Sequence, residues 1–199
     1  SARYLLTTPN DTDALTYMKS RGATHALIVS EDIGKYPAFS TIGSDLSNDR
    51  YSWIPAFRLD SRNSQELRNQ TIRVYAGSTA LDEDFIFNDI LLPRGAAGIG
   101  AFLVPFTTVD DSQAVIGQPQ AVVIYNSQRY DIPLTCLVVQ GKKTEFPIND
   151  GMDACLTIIP NVEGNKLDPI GAVLYLSHKT RNSFLARHYI YGEESPNFK

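Results

Sequence analysis

The chain has 199 residues, of which 43% are hydrophobic and 20% charged, and this composition predicts a folded globular protein of one or two domains. It excludes disordered, collagen-like and coiled-coil chains. The net charge of −4 disfavours nucleic acid as a partner, because a phosphate backbone binds clusters of cations.

No segment of the sequence has the pattern of a membrane-spanning helix. The longest nearly unbroken apolar run, residues 96–106, has 11 residues, whereas a helix that crosses a bilayer needs about 20. The first residues contain neither an initiator Met nor an apolar signal core, so we expect the chain to be a processed or excised piece.

The N-terminal part of the chain predicts a helix followed by a strand. Residues 13–21 have an amphipathic pattern; Asn10 or Thr12 can cap this helix and Gly22 can end it. Residues 24–30, Thr-His-Ala-Leu-Ile-Val-Ser, are apolar without alternation, which predicts a strand covered on both faces. Residues 31–57 mix aromatic, Gly and Pro residues, and we expect a structured loop with a helical turn.

Short β-rich runs separated by turn residues begin near Arg58. They are TIRVYAG, FIFNDILLP, GIGAFLVPF, QAVVIYN, RYDIPLTCLVVQ, ACLTIIPNV and PIGAVLYLS. Seven such runs predict an antiparallel sandwich or barrel-like unit, with hairpin turns at residues 126–128 and 140–143. Ser177 can then cap a final helix that extends to about Tyr189, with Gly192 as its stop.

These elements predict an α+β fold in which a helix-containing core, formed by both ends of the chain, brackets a β-rich insertion. The expected boundaries are residues 1–57 for an α/β core segment, 58–176 for the sandwich or barrel-like β unit, and 177–199 for a C-terminal helix that returns to the core. Cys136 and Cys155 lie in two of the β-rich runs. The sequence leaves open whether they form a disulfide or stay as buried thiols.

The residues do not compose a complete catalytic site. The three histidines, His25, His178 and His188, have no His or Cys at metal-ligand spacing, so we expect no metal and no catalytic residue in this chain. The triplet at residues 82–84, Asp-Glu-Asp, favours a solvated turn over a diphosphate-binding Asp-x-Asp site. The glycines at residues 95–100 favour a turn that enters a strand, because a dinucleotide-binding loop would open a helix.

Basic side chains cluster near the C-terminus, at His178, Lys179, Arg181, Arg187 and His188. Such a cluster suits an anionic lipid or diphosphate surface. It also suits solvated cations that stabilise the C-terminal end of a helix, and we favour this second interpretation.

Several segments of the chain carry a family resemblance. They are ALTYMKSRGATHALIVS, the stretch SEDIGKYPAFSTIGSD at residues 30–45, DRYSWIPAF, YAGSTALDEDFIFNDILLP, DPIGAVLYLS and NSFLARHYIYG. Together they resemble the soluble C-terminal region of the catalytic subunit of archaeal oligosaccharyltransferase. The resemblance spans essentially the whole chain.

This resemblance implies a membrane glycosyltransferase of protein N-glycosylation, which transfers a lipid-linked oligosaccharide to the Asn of Asn-x-Ser/Thr acceptors. The family uses a divalent cation, Mn²⁺ or Mg²⁺, held by acidic loops of its membrane part. Neither those loops nor the family's Trp-Trp-Asp motif is in this sequence. The resemblance therefore implies that donor, cation and membrane anchor belong to a missing N-terminal region. It also implies that this domain lies on the extracytoplasmic face of the cell membrane, contains no cofactor and is inactive alone.

One family motif that receives the acceptor resembles residues in the loop after the predicted strand. It has an Asp, a Lys three residues later and an apolar residue four beyond the Lys, and here these are Asp32, Lys35 and Phe39. The family usually has Met or Ile in the last place, so Ile42 is a second candidate for the apolar contact. The resemblance implies that these four residues bind the +2 Ser or Thr of the acceptor polypeptide, because its hydroxyl needs a hydrogen-bond partner and its methyl an apolar wall.

Two alternatives stay open. Without the flanking sequence, Asp32 and Lys35 favour a plain i,i+3 surface ion pair. The whole chain also fits a non-catalytic, β-rich binding or adhesion module of a cell-surface protein, which explains the strands and the missing catalytic groups. Membrane spans and a Trp-Trp-Asp motif encoded upstream would favour the enzyme.

Overall fold

The computed structural model describes residues 2–110, 113–147 and 150–198. The chain divides into two compact units, residues 1–54 with 176–199 and residues 55–175. Strands account for 46% of the chain and helices for 17%. No helix in the described part of the chain combines the length and the hydropathy that a bilayer crossing requires.

All the helices among the described residues belong to the first unit. They are α1 (Ala2–Thr7), α2 (Asp11–Ser20), α3 (Glu31–Gly34), α4 (Tyr36–Gly43) and a π-helical turn (Leu185–Ile190). Helix α2 begins where the Asn10 side chain accepts hydrogen bonds from the N–H groups of Thr12 (2.9 Å) and Asp13 (3.4 Å). Asn10 is therefore the cap, one of the two residues that the sequence offers for this role.

The second unit is built from strands. They are β1 (Ala56–Leu59), β2 (Gln65–Leu67), β3 (Gln70–Ala80), β4 (Phe85–Phe87), β5 (Ile90–Leu92), β6 (Gly98–Asp110), β7 (Gln113–Ile116), β8 (Gln120–Tyr125), β9 (Gln128–Val139), β10 (Lys142–Glu145), β11 (Met152–Glu163) and β12 (Lys166–Leu176). Strands β4 and β5 form a separate two-stranded sheet.

Seven strands close into a barrel, in the order β3, β1, β12, β11, β9, β8 and β6, with β6 pairing back to β3. Strands β9 and β11 run parallel, while β3–β6, β6–β8 and β8–β9 are antiparallel. The barrel interior is packed with fully buried apolar side chains, among them Phe57, Tyr75, Phe102, Ile132 and Leu156. The barrel is thus a filled hydrophobic core.

The parallel pair carries the disulfide. Cys136 of β9 lies opposite Cys155 of β11 in the register of the two strands, and the two sulfurs are bonded. The structure thereby decides a question that the sequence left open. A cross-link that closes a loop of this size stabilises a fold by about 3 kcal/mol in the chain-entropy model.

The predicted β-rich unit is confirmed as a barrel, but not as a purely antiparallel one, because β9 and β11 are parallel. Both predicted hairpin turns are present. Asn126 and Ser127 adopt positive φ (49° and 60°) between β8 and β9. Gln140 and Gly141 do so (48° and 74°) between β9 and β10. Two consecutive positive φ values are the geometry of a type I′ turn, one of the two favoured turns of two-residue hairpins.

The expected helix-bracketed α+β fold is wrong, because the chain is mostly β and two predicted elements are missing. Residues 24–30 form no strand. The predicted helix from Ser177 to Tyr189 is replaced by turns and the short π-helical turn. Hydroxyls explain this second difference: Thr180 donates to the Ser177 carbonyl (3.3 Å), and Ser183 accepts from the Ala186 N–H (3.2 Å). Such local bonds compete with helical hydrogen bonds.

Candidate functional site

The predicted loop with Asp32, Lys35, Phe39 and Ile42 folds into helices α3 and α4. Pro37 lies in the first turn of α4, where its missing N–H has no cost. Tyr36 and Ser40 are completely buried, and Ser40 Oγ donates to the Ser52 carbonyl (2.9 Å) and accepts from the Ser52 N–H (3.1 Å). These contacts anchor α4 within the first unit, so the residues of the motif lie on a helix with a fixed position.

Asp32 and Lys35 form the polar part of the candidate site. Asp32 Oδ2 accepts a hydrogen bond from the Val29 N–H (3.0 Å), and its Oδ1 lies 3.9 Å from Lys35 Nζ. The Asp32 side chain is only 14% exposed, whereas that of Lys35 is 60% exposed. The carboxylate is therefore fixed by the backbone, and the ammonium group reaches into solvent, where it can donate to a bound molecule.

Lys35, Phe39 and Ile42 share one face of α4. Lys35 has helical dihedral angles, and its carbonyl accepts the Ala38 (3.0 Å) and Phe39 (3.2 Å) N–H groups, so the helical path includes it. The spacing i, i+4, i+7 then aligns the three side chains along one stripe. Phe39 is half-buried and Ile42 is 51% exposed. The structure thus places a cation and two apolar side chains in a row, with the anchored carboxylate one turn before them.

The C-terminal basic residues are not a free cationic surface. Lys179 Nζ donates to Asp49 (2.9 Å). Arg187 pairs with Asp11, and His188 Nε2 lies 3.0 Å from the same carboxylate. The expected solvated cations at a helix end are therefore wrong, because these side chains are mostly buried in ion pairs, and the same ion pairs disfavour a diphosphate or anionic lipid site there.

The other motifs have structural roles. Gly95 has a positive φ (74°) in the turn before β6, as the sequence predicts. Asp84 Oδ1 accepts the Arg94 N–H (2.7 Å), and Asp82 is buried, so only part of the acidic triplet faces solvent. Among residues 2–110, 113–147 and 150–198, no group of three or more His, Cys, Asp or Glu is placed to hold a metal ion.

Two features of the first unit were not predicted from the sequence. One is the ion-pair network of Asp11 with Arg187 and His188, which joins residues about 176 positions apart; no local signal predicts it. The other is a pair of grooves beside residues 23–28. The apolar, unalternating pattern of that segment was the available signal, since it predicts side chains that need cover on both faces.

The comparisons with known proteins add no relative: no protein-family model, no curated protein and no solved structure matches the chain.

Proposed function

We propose that this chain is an extracytoplasmic domain of an oligosaccharyltransferase, and that it contributes to recognition of the +2 Ser or Thr of Asn-x-Ser/Thr acceptors. The proposal is supported by the family resemblance of residues 30–45 and of the later segments. The single observation that carries the site is the stripe of Lys35, Phe39 and Ile42 on α4 beside the anchored Asp32.

The chemistry of this stripe suits a Ser or Thr side chain. The exposed ammonium of Lys35 can donate to a hydroxyl oxygen, and the Asp32 carboxylate can accept the hydroxyl hydrogen. Phe39 or Ile42 offers an apolar surface for the Thr methyl. A site that hydrogen-bonds a hydroxyl discriminates strongly against an analogue without it, because the analogue leaves the polar groups of the site unpaired.

The remaining parts of the reaction are assigned to polypeptide outside this chain. In the proposal, the lipid-linked oligosaccharide and the divalent cation, Mn²⁺ or Mg²⁺, are bound by the membrane-embedded part of the enzyme. This chain supplies neither a catalytic residue nor a metal ligand to the transfer. Its partner is the acceptor polypeptide.

The proposal is tested by Lys35→Ala in the full-length enzyme. With subsaturating Asn-x-Thr peptide, we expect kcat/KM for the acceptor to fall at least tenfold, while the KM for the lipid-linked donor stays unchanged. Stability should hardly change, because an exposed charge contributes under about 1 kcal/mol. The matched control is Lys142→Ala, which removes another exposed lysine. Wild-type transfer rates in Lys35→Ala would contradict the proposal.

Two further variants decide the apolar contact. Phe39→Ala and Ile42→Ala are compared by their preference for Asn-x-Thr over Asn-x-Ser peptides. The residue that contacts the Thr methyl should lose this preference when it is truncated, because one methyl group in an apolar pocket is worth about 1–3 kcal/mol. An unchanged preference in both variants would show that neither Phe39 nor Ile42 contacts the Thr methyl.

A further inference from the structure

Residues 24–30, here called the open segment, combine a strand-like sequence with an exposed position. The Leu27 side chain is 88% exposed and that of Val29 is 38% exposed, and only Ile28 is half-buried. Burial of apolar side chains is the main favourable term in folding. A run of such residues in solvent therefore needs an explanation.

Most of the backbone of the open segment is also without partners among the described residues. The N–H and C=O groups of residues 24–28 form no hydrogen bond with any described residue. Regular pairing resumes at Val29, whose N–H donates to Asp32 Oδ2 (3.0 Å) and whose carbonyl accepts the Asp32 N–H (3.0 Å). These five consecutive residues thus share one property of a sheet edge, main-chain donors and acceptors that an added strand could pair.

Empty space lies beside the open segment in two grooves of the first unit. The narrower groove, of about 330 Å³, is lined by Leu5, Leu6, Tyr17, Met18 and Arg21 as well as by the segment. The wider groove, of about 1070 Å³, is lined by Leu15, Met18, Phe184 and Phe198 among others. The sequence pattern predicts that both faces of the segment are covered by other residues. The two grooves leave this cover incomplete.

A buried hydroxyl marks the narrower groove. Tyr17 lines it, and Tyr17 Oη is inaccessible to solvent and has no hydrogen-bond partner among the described residues. Buried polar atoms are nearly always hydrogen-bonded, so an orphaned hydroxyl indicates that a partner is missing. Because Tyr17 Oη is closed to solvent, a carbonyl of an added strand would reach it only after the Tyr17 side chain turns into the groove.

The charges of the narrower groove define the occupant further. Its charged or titratable lining residues are Arg21 and His25, and no carboxylate lines it. The Arg21 guanidinium lies over the Tyr17 ring, 5.6 Å from the centroid. A ligand with a carboxylate at this end would complement that charge.

We propose that residues 24–28 bind one extended peptide strand by β-augmentation. The bound strand is apolar at alternate positions and carries a carboxylate at the end that approaches Arg21. Its backbone pairs with residues 24–28, and its apolar side chains cover Leu27 and fill the narrower groove. Main-chain pairing supplies affinity and the groove supplies specificity, as in other cases of strand addition. This inference does not depend on the proposed acceptor site.

The test uses a synthetic probe, acetyl-Glu-Thr-Val-Thr-Val-Thr-Glu-amide, and the 199-residue chain. NMR chemical shifts and amide hydrogen exchange are followed as the peptide is added. We expect shift changes confined to residues 23–30 and the facing parts of α1 and α2, and at least tenfold slower exchange at residues 25–28. A control peptide with two adjacent central residues replaced by proline should have no effect, because it lacks a donor on each edge.

Matched variants connect the binding to the named residues. Leu27→Asn should raise the dissociation constant of the probe at least tenfold, whereas Leu46→Asn should leave it unchanged. Leu46 is a fully exposed leucine of the same unit that lines neither groove. Arg21→Gln should weaken binding about threefold, and this difference should vanish at 1 M salt, where charges are screened.

Three outcomes would overturn the proposal. One is unchanged exchange at residues 25–28 with millimolar probe. Another is equal binding of the proline-containing peptide, which would show apolar adsorption without strand pairing. The third is slow exchange that grows with protein concentration together with a dimer mass in light scattering, which would identify a second copy of the chain as the occupant.

Discussion

At the scale of single residues, the barrel depends on a glycine where a strand passes close to an aromatic ring. Gly77 lies on β3 where the pairing with β6 shifts register between Ala76 and Thr79. A Cβ atom at Gly77 would lie 2.6 Å from Cδ1 of Phe57. Phe57 is fully buried and meets Phe102 edge-to-face, with ring centroids 4.8 Å apart. The ring therefore has little freedom to move away.

Gly77→Ala tests this constraint. We expect the substitution to lower the free energy of unfolding of the barrel by about 1–3 kcal/mol, the usual cost of overpacking a core. Urea unfolding followed by far-UV circular dichroism measures the change. Gly100→Ala is the control, because a Cβ on that residue of β6 meets no atom within 4 Å. Equal stability of the two variants would show that the Phe57 ring adapts.

At the scale of elements, one carboxylate ties the C-terminal segment to α2. Asp11 in the first turn of α2 binds Arg187 and His188. His188 Nδ1 lies 2.8 Å from the Glu193 carbonyl, so the link continues past the π-helical turn. Burial raises the pKa of Asp11, but hydrogen bonds from Arg187, His188 and Ser195 outweigh it and hold this pKa well below its usual range.

Asp11→Asn should lower the stability of the first unit by about 2 kcal/mol at pH 7, since hydrogen bonds to charged groups contribute about 1.5–3 kcal/mol. Because the folded pKa is depressed, the contribution of Asp11 is complete above its unfolded pKa of about 4 and is lost as the pH falls toward the folded value. The difference between wild type and variant should therefore shrink below pH 4.

The fluorescence of Trp53, the only tryptophan and part of the first unit, follows this unfolding in urea. Asp13→Asn is the control, because Asp13 is an exposed acidic residue in the same helical turn. A stability difference between wild type and Asp11→Asn that stays constant from pH 7 to pH 3 would contradict the assigned role of the carboxylate.

Elements were predictable where local chemistry determines them. Asn126 and Gly141 mark hairpins because these residues tolerate positive φ, and Asn10 caps α2 with its own side chain. The strand expected at residues 24–30 was wrong because a strand needs a partner, and its own sequence does not show whether one is present. The helix expected after Ser177 was wrong because its hydroxyls bind the local backbone.

The candidate site likewise has features that the sequence predicts and features that it does not. The resemblance implies that Lys35, Phe39 and Ile42 act together, and helix α4 aligns them on one face. The anchoring of Asp32 by the Val29 N–H, by contrast, depends on a turn that the pattern does not show. The pairing of Asp11 with Arg187 depends on tertiary packing, and no periodicity in the sequence signals it.

At the scale of the whole molecule, the described residues form a filled barrel in one unit and an exposed stripe of side chains on α4 in the other. The barrel interior is filled by apolar side chains. The α4 stripe presents groups that can hold a hydroxyl and a methyl, and no group of three or more His, Cys, Asp or Glu in the described part of the chain is placed to hold a metal ion. If the proposed function holds, this chain positions an acceptor for chemistry performed elsewhere.

The purified 199-residue chain should therefore transfer no glycan to an Asn-x-Thr peptide from any lipid-linked donor, with Mn²⁺ or Mg²⁺ present. Mass spectrometry of the peptide detects the product, and full-length enzyme added to the same mixture verifies that the substrates are competent. The chain should still bind Asn-x-Thr peptide more tightly than Asn-x-Ala, and Lys35→Ala should remove this preference, because the hydroxyl partner is lost. Glycopeptide formed by the chain alone would contradict the assignment of catalysis to another part of the enzyme. Equal binding of both peptides would instead favour a binding module without a role in acceptor recognition.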